Sequence, residues 1–208
     1  MATAVGPAKL RAPRRDAILS GALTCFLTHG VSGTTIDGLQ RETGASVGSI
    51  YHFFGSKDAL AIELYRDTLE DYLDAYLAVL QRSRTARAGI TGSVRSHLRW
   101  VATNESRARY LFYYRESEII AAARPAVDHL NQRFYQAANA WLAPHVARGD
   151  IKTLPPRLYQ ALWMGPCVEY ARLWLARSRD SNILSGARAL EHAAWEALRG
   201  PNAAVRDR

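Results

Sequence analysis

The chain has 208 residues, with 27 Lys and Arg against 19 Asp and Glu, a formal net charge of +8, and 48% hydrophobic against 22% charged residues. That composition can bury a core and excludes a largely disordered chain. No apolar run approaches the roughly 18 residues of a membrane span, and the basic N-terminus lacks the apolar stretch of a signal peptide, so a soluble cytoplasmic protein is expected. Cys25 and Cys167 stand far apart inside apolar helical patterns, as in a reducing compartment, with no Cys/His cluster at metal-ligand spacing. A GxSxG, Walker, HExxH or dinucleotide glycine motif is also missing, so no metal, cofactor or catalytic role is predicted.

Residues 1–13 carry Gly6, Pro7, Lys9, Arg11 and Pro13 without apolar periodicity and predict a basic flexible arm that runs on into Arg14 and Arg15. Over 14–29, Ile18, Leu19, Ala22, Leu23 and Phe26 recur at three- and four-residue steps and predict a helix, with Gly30 as its left-handed end. Thr34-Thr35-Ile36-Asp37 reads as a capping box with Thr34 as the cap, opening a two-turn helix that Gly44 ends. Ser46 caps a second short helix over 47–53, broken by Gly55-Ser56. Ser56 opens a longer one with a stripe of Leu60, Leu64, Leu69, Leu73, Tyr76 and Leu80.

Further helices are predicted from Ile90, Val94, Leu98 and Val101; over the aromatic-rich segment 106–117; after Pro125; from Pro155-Pro156 through Trp174; and from Asn182 through Leu198. No strand pattern occurs. The expected fold is all-α with about nine helices: an arm at 1–13, a three-helix unit at 14–60, a larger helical body at 61–199, and a flexible tail at 200–208.

Cap, short helix, glycine turn, cap and short helix between Thr34 and Lys57 describe a helix-turn-helix, whose second helix enters the major groove with its first residues at the base edges. Ser46, Val47, Gly48 and Ser49 are small enough for close approach, and Val47 suits a thymine methyl. Thr34, Thr35, Tyr51, His52, Lys57, Arg14 and Arg15 complete the expected DNA-binding set, the last five toward phosphates. Phe53 and Phe54 are expected in the core.

The segment TTIDGLQRETGASVGSIYHFFGSKDAL resembles the DNA-binding segment of the TetR family of bacterial transcriptional regulators, in register at Thr34, Thr35, Leu39, Gly44, Ser46, Gly48, Ser49, Ile50, Tyr51, His52, Phe54, Lys57 and Leu60. The resemblance implies a homodimer that binds a palindromic double-stranded DNA operator and is released when a small molecule enters the helical body. Gly38, Gln40, Thr43 and Val47 depart from the family's frequent residues, and Val47 removes a frequent lysine from the recognition helix.

In the body, His97, Trp100, Tyr113, Trp163 and Glu169 are the candidate lining of a pocket for an aromatic or amphipathic effector, and Arg115 and Glu116 are further orienting groups. Met164-Gly165-Pro166 predicts a kink. Leu158, Leu162, Tyr170, Trp174, Leu190, Ala194 and Leu198 offer apolar faces for a two-fold interface. The predicted function is a ligand-released repressor; the alternative is an effector-independent architectural DNA-binding protein or interaction scaffold.

Overall fold

A computed structural model describes residues 13–114, 117–177 and 182–203. Arg115, Glu116, the arm at 1–12 and residues 204–208 lie outside the described residues. The chain divides into two compact units between Tyr65 and Arg66.

The first unit holds α1 (Pro13–Gly33), α2 (Ile36–Thr43), α3 (Val47–Phe54) and the start of α4 (Lys57–Arg82). Its apolar positions do what their spacing predicts: Ile18, Leu19, Ala22 and Phe26 of α1 are buried, as are Leu39, Ile50, Leu60 and Leu64. Gly30 has the left-handed φ of 73° expected of it, yet the chain resumes one more turn to Gly33 beyond the kink. At Gly21 a Cβ would stand 2.6 Å from Thr43 Cγ2, so a residue without a side chain is required where α1 meets the end of α2.

The second unit is the rest of α4 with α5 (Ala86–Thr103), α6 (Glu105–Tyr114), α7 (Glu118–Ala122), α8 (Arg124–Ala147), α9 (Pro156–Trp163), α10 (Gly165–Arg177), a 3₁₀ turn (Ile183–Gly186) and α11 (Ala187–Leu198). At its centre, α5 buries Ile90, Val94, Leu98 and Val101 and packs against α10 and α11. Arg95 and Glu191 join α5 to α11 by two bonds of 2.7 Å. The count among the described residues is eleven helices rather than nine, for two local reasons. Ser117 caps an extra short helix, α7, and Met164 separates α9 from α10, where Pro166 carries no N–H to continue the ladder.

Residues 200–203, read as part of a frayed tail, are tied down. Gly200 N donates to Asp150 O at 2.8 Å, Asn202 N to Gly149 O at 3.0 Å, and the Asn202 amide to Arg148 O at 2.8 Å. An isolated antiparallel bridge between Ile151 and Arg199 completes this clasp, and the described residues contain no strand. None of the described helices is long and apolar enough to cross a membrane.

Candidate nucleic-acid interface

Two adjacent threonines precede α2 and divide the work differently from the sequence prediction. Thr35 is the cap, its Oγ1 accepting from Gly38 N at 3.1 Å. Thr34 is buried, and its hydroxyl faces Gly30 O at 2.7 Å and Cys25 O at 3.2 Å, so it fastens the chain to the end of α1 and offers nothing to DNA. Gly44, with φ of 66°, ends α2 and donates to Gln40 O. Thr43 stabilises the same turn, donating to Leu39 O at 2.7 Å and accepting from Ala45 N at 3.1 Å.

Ser46 opens α3 with Oγ 3.2 Å from Ser49 N and 2.9 Å from Ser49 Oγ. Ile50 and Phe54 anchor the inner face of α3, while Ser46, Gly48, Tyr51 and His52 are exposed and Val47 and Ser49 half-buried. Phe53 is not in the core: it is exposed beside the His52 ring, because its position falls off the Ile50–Phe54 stripe. Small hydroxyl-bearing residues thus occupy the exposed first turn of α3, with a phenol and an imidazole one turn on.

Two of the expected phosphate-binding cations are engaged elsewhere. Lys57 Nζ donates to Thr34 O at 2.8 Å and Ser32 O at 3.2 Å, closing the open carbonyls that follow the Gly30 kink. Arg15 pairs with Glu63 and lies over the Phe54 ring at 5.7 Å, joining α1, α3 and α4. Arg14 is exposed.

In the second unit the five predicted pocket residues separate. Tyr113 is 55% exposed, and Glu169 is exposed and paired with Arg172, so neither lines the interior. His97, Trp100 and Trp163 are buried along a polar seam that the sequence reading missed. Thr68, Tyr72 and Tyr76 recur every four residues on α4, the spacing of one helical face. The Tyr72 hydroxyl is 2.9 Å from His97 Nδ1, and the rings of Tyr72 and Trp100 meet edge to face. Trp163 Nε1 donates to Ser93 Oγ at 2.8 Å, and Trp100 Nε1 to Asp71 Oδ2 at 2.9 Å. Asp67 is paired with Arg107.

Burial pushes His97 down to about 4, against the main chain of Cys167, and pushes the Tyr72 and Tyr76 phenols up. Among the described residues, His97 Nε2 and Thr68 Oγ1 are buried without a hydrogen-bond partner, an arrangement that costs about 1–3 kcal/mol per group. The one signal available in the sequence was the four-residue spacing of Thr68, Tyr72 and Tyr76.

Of the predicted interface residues, Leu158 and Leu162 on α9 are exposed, and Trp174 and Leu190 are half-buried. Tyr170 packs its ring over Gly186. Ala194 and Leu198 are corrections, being 2% and 0% exposed in the protomer's own core and therefore closed to a partner. Leu173 and Leu184 are exposed apolar residues outside the predicted set.

A capped short helix, a left-handed glycine and a second capped helix with an exposed, small-residue first turn define a helix-turn-helix DNA-binding unit. Residues 18–64 match the family described as bacterial regulatory proteins, tetR family. That match covers the helix-turn-helix unit, under a quarter of the chain. The chain is 45% identical over 53 residues to the HTH-type transcriptional repressor AcnR of Corynebacterium efficiens, covering 26% of this chain and 28% of that protein. It is 27% identical over 131 residues to the HTH-type transcriptional repressor KstR2 of Mycolicibacterium smegmatis, covering 63% and 62%. In both cases the match spans less than two thirds of the relative. In fold, the chain is similar to the transcriptional regulator FadR from Bacillus subtilis, in complex with stearoyl-CoA, with a TM-score of 0.75 and 16% identity over 88% of this chain and 98% of that one.

Proposed function

We propose that this protein is a transcriptional repressor that binds a palindromic operator as a homodimer and leaves it when an uncharacterised small molecule enters the second unit. The observation that carries the reading is the exposed first turn of α3, where Ser46, Gly48 and Ser49 present hydroxyls and little bulk to base edges. Tyr51 and His52 stand one turn on, and Arg14 is free to meet a phosphate.

The exposed leucines of α9 and α10, Leu158, Leu162 and Leu173, support a two-fold interface, and a two-fold dimer matches an inverted repeat. The seam around His97 supports a ligand site in the second unit. Because α4 is continuous from Lys57 to Arg82, a ligand that displaces its body half carries the change toward the recognition helix. A ligand that prefers the DNA-incompetent state a hundredfold couples by about 2.7 kcal/mol, enough to empty an operator of moderate affinity.

The test is selection of bound duplexes from fragments of the source genome at near-physiological salt, where nonspecific attraction does not dominate. Recovery of one inverted repeat is the expected result. Recovery of unselected DNA, or of none, overturns the reading in favour of an architectural or scaffold role.

A further inference from the structure

The chemistry of the ligand follows from the hydrogen-bond arithmetic of the seam, an inference that rests on the ligand-responsive reading above. Tyr72 has one hydroxyl proton, and His97 Nδ1 at 2.9 Å is its only hydrogen-bond partner among the described residues. With the Tyr72 hydroxyl as donor to Nδ1, the imidazole is the tautomer with its hydrogen on Nε2. Nε2 is enclosed and makes no hydrogen bond of normal geometry among the described residues; the Cys167 main chain, which favours the protonated ring, is the acceptor beside it. What the ring lacks is an acceptor in good hydrogen-bond geometry.

Thr68, fully buried one turn before Tyr72 on the same face of α4, adds a second unmet hydroxyl. The other polar groups of the seam are occupied and uncharged: Ser93 donates to Ile90 O at 2.9 Å, and Trp163 Nε1 donates to Ser93. The nearby charges are balanced or in use, Asp67 and Asp71 facing Arg107, and Asp71 also accepting from Trp100. Among the described residues, a carboxylate placed at Nε2 would find no free cation to compensate its burial. A neutral carbonyl oxygen would take the Nε2 proton at no such cost. Phe112 lies against the His97 ring, and Trp100 and Trp163 pack on Tyr72 and Tyr76 along the same seam, so the surroundings are apolar.

We propose that His97 Nε2–H is the receptor for the carbonyl oxygen of an uncharged, apolar-bodied ligand: an ester, thioester, amide or ketone rather than a free carboxylate.

Two variants separate the ring's two roles. His97→Asn places an amide oxygen where Nδ1 stood and keeps the Tyr72 bond, but has no donor at Nε2. His97→Gln reaches the Nε2 position with an amide N–H. The full chain, labelled with ¹⁵N-histidine, is examined by NMR, then titrated with methyl esters, methyl ketones and primary amides of six to fourteen carbons and with the matching carboxylates. Binding is followed by the His97 Nε2 resonance and by indole fluorescence. Expected are the Nε2–H tautomer without ligand, binding of at least one uncharged series member, at least tenfold weaker binding of its carboxylate, at least tenfold loss in His97→Asn, and retention within threefold in His97→Gln.

The Nδ1–H tautomer, a carboxylate that binds as well as its ester, unchanged binding by a folded His97→Asn variant, or no binding by any series member would each overturn the assignment. A crystal structure with an ordered water on Nε2 that persists beside bound ester would do the same. Probe binding that leaves operator affinity unchanged refutes the ligand-response reading while the carbonyl receptor stands.

Discussion

Replacing Lys57 by Met separates two roles that its position permits. In the structure its ammonium closes Thr34 O and Ser32 O at 2.8 and 3.2 Å, so the residue acts as a clamp on the end of α1. A hydrogen bond to a charged group contributes about 1.5–3 kcal/mol when well buried. Lys57 is half-buried, and water replaces part of what the variant loses. The expected destabilisation of the first unit is therefore about 1–2 kcal/mol, or on the order of 5 to 10 °C for a unit of this size. The assay is hydrogen exchange of the α1 to α3 amides through a urea titration, run beside operator affinity measured against salt. Affinity stays within about twofold, because a loss of this size leaves the unit folded, and the salt slope stays the same. If Lys57 instead neutralised a phosphate, stability would hold and the slope would shrink by about 0.9 per subunit. Unchanged stability together with a shallower slope refutes the clamp.

In Gly89→Ala, the new methyl would meet Trp141 Cζ2 at 2.1 Å, and the indole is itself packed on His145 and Trp163. Overpacking of about 1–3 kcal/mol should exceed the roughly 1 kcal/mol gain in helix propensity; an unchanged or higher Tm would contradict this. Gly48→Ala, with nothing within 4 Å of the added Cβ, should leave stability equal or better by up to about 1 kcal/mol yet weaken specific operator binding several-fold, and intact specific affinity would remove Gly48 from the base-edge surface. His97, held near 4 against an ordinary 6.5, favours the folded state fully above pH 6.5, and this contribution is lost as the pH falls toward 4. At 1.36 kcal/mol per unit, the wild type should lose about 3 kcal/mol more than His97→Asn across that window in urea unfolding; parallel pH curves would argue against a neutral buried ring.

The first unit was legible because its signals are local. Gly30 and Gly44 have the left-handed φ their place implies, and Ser46 caps the helix it precedes. The choice between Thr34 and Thr35 was not legible, since either hydroxyl suits a cap and only the contacts to Cys25 and Gly30 select which one turns inward. Lys57 and Arg15 looked like phosphate ligands for the same reason: a cation's partner 23 to 48 residues away leaves no local mark. In the second unit the sequence supplied helices but not their depth. Trp163 and Tyr113 are both aromatics on helices, and tertiary packing alone buries one and exposes the other. Thr68 and Tyr72 were hidden beside the Leu69, Leu73, Tyr76 and Leu80 stripe of the same helix. Where polar and apolar residues share four-residue spacing, the apolar stripe is read first.

Where the positive charge lies leads to a further test. Residues 1–65 carry six cations, Lys9, Arg11, Arg14, Arg15, Arg41 and Lys57, against five acids, whereas the rest of the chain carries 21 against 14. The basic excess therefore belongs mostly to the second unit. Within the first unit Arg15 and Lys57 are engaged by Glu63 and by main-chain carbonyls, which leaves four cations per subunit for phosphates. Ser, Thr, Tyr and main-chain N–H donors also hold phosphates, but they neutralise no charge and release no counterions. A dimer that meets DNA only through this unit neutralises at most eight phosphates, so the slope of log K against log salt should be no steeper than about −7. A steeper slope, measured on an operator duplex between 50 and 300 mM salt (a range of about this width resolves one unit of slope), would require arginines of the second unit at the DNA. That result would refute the confinement of the interface to residues 1–65.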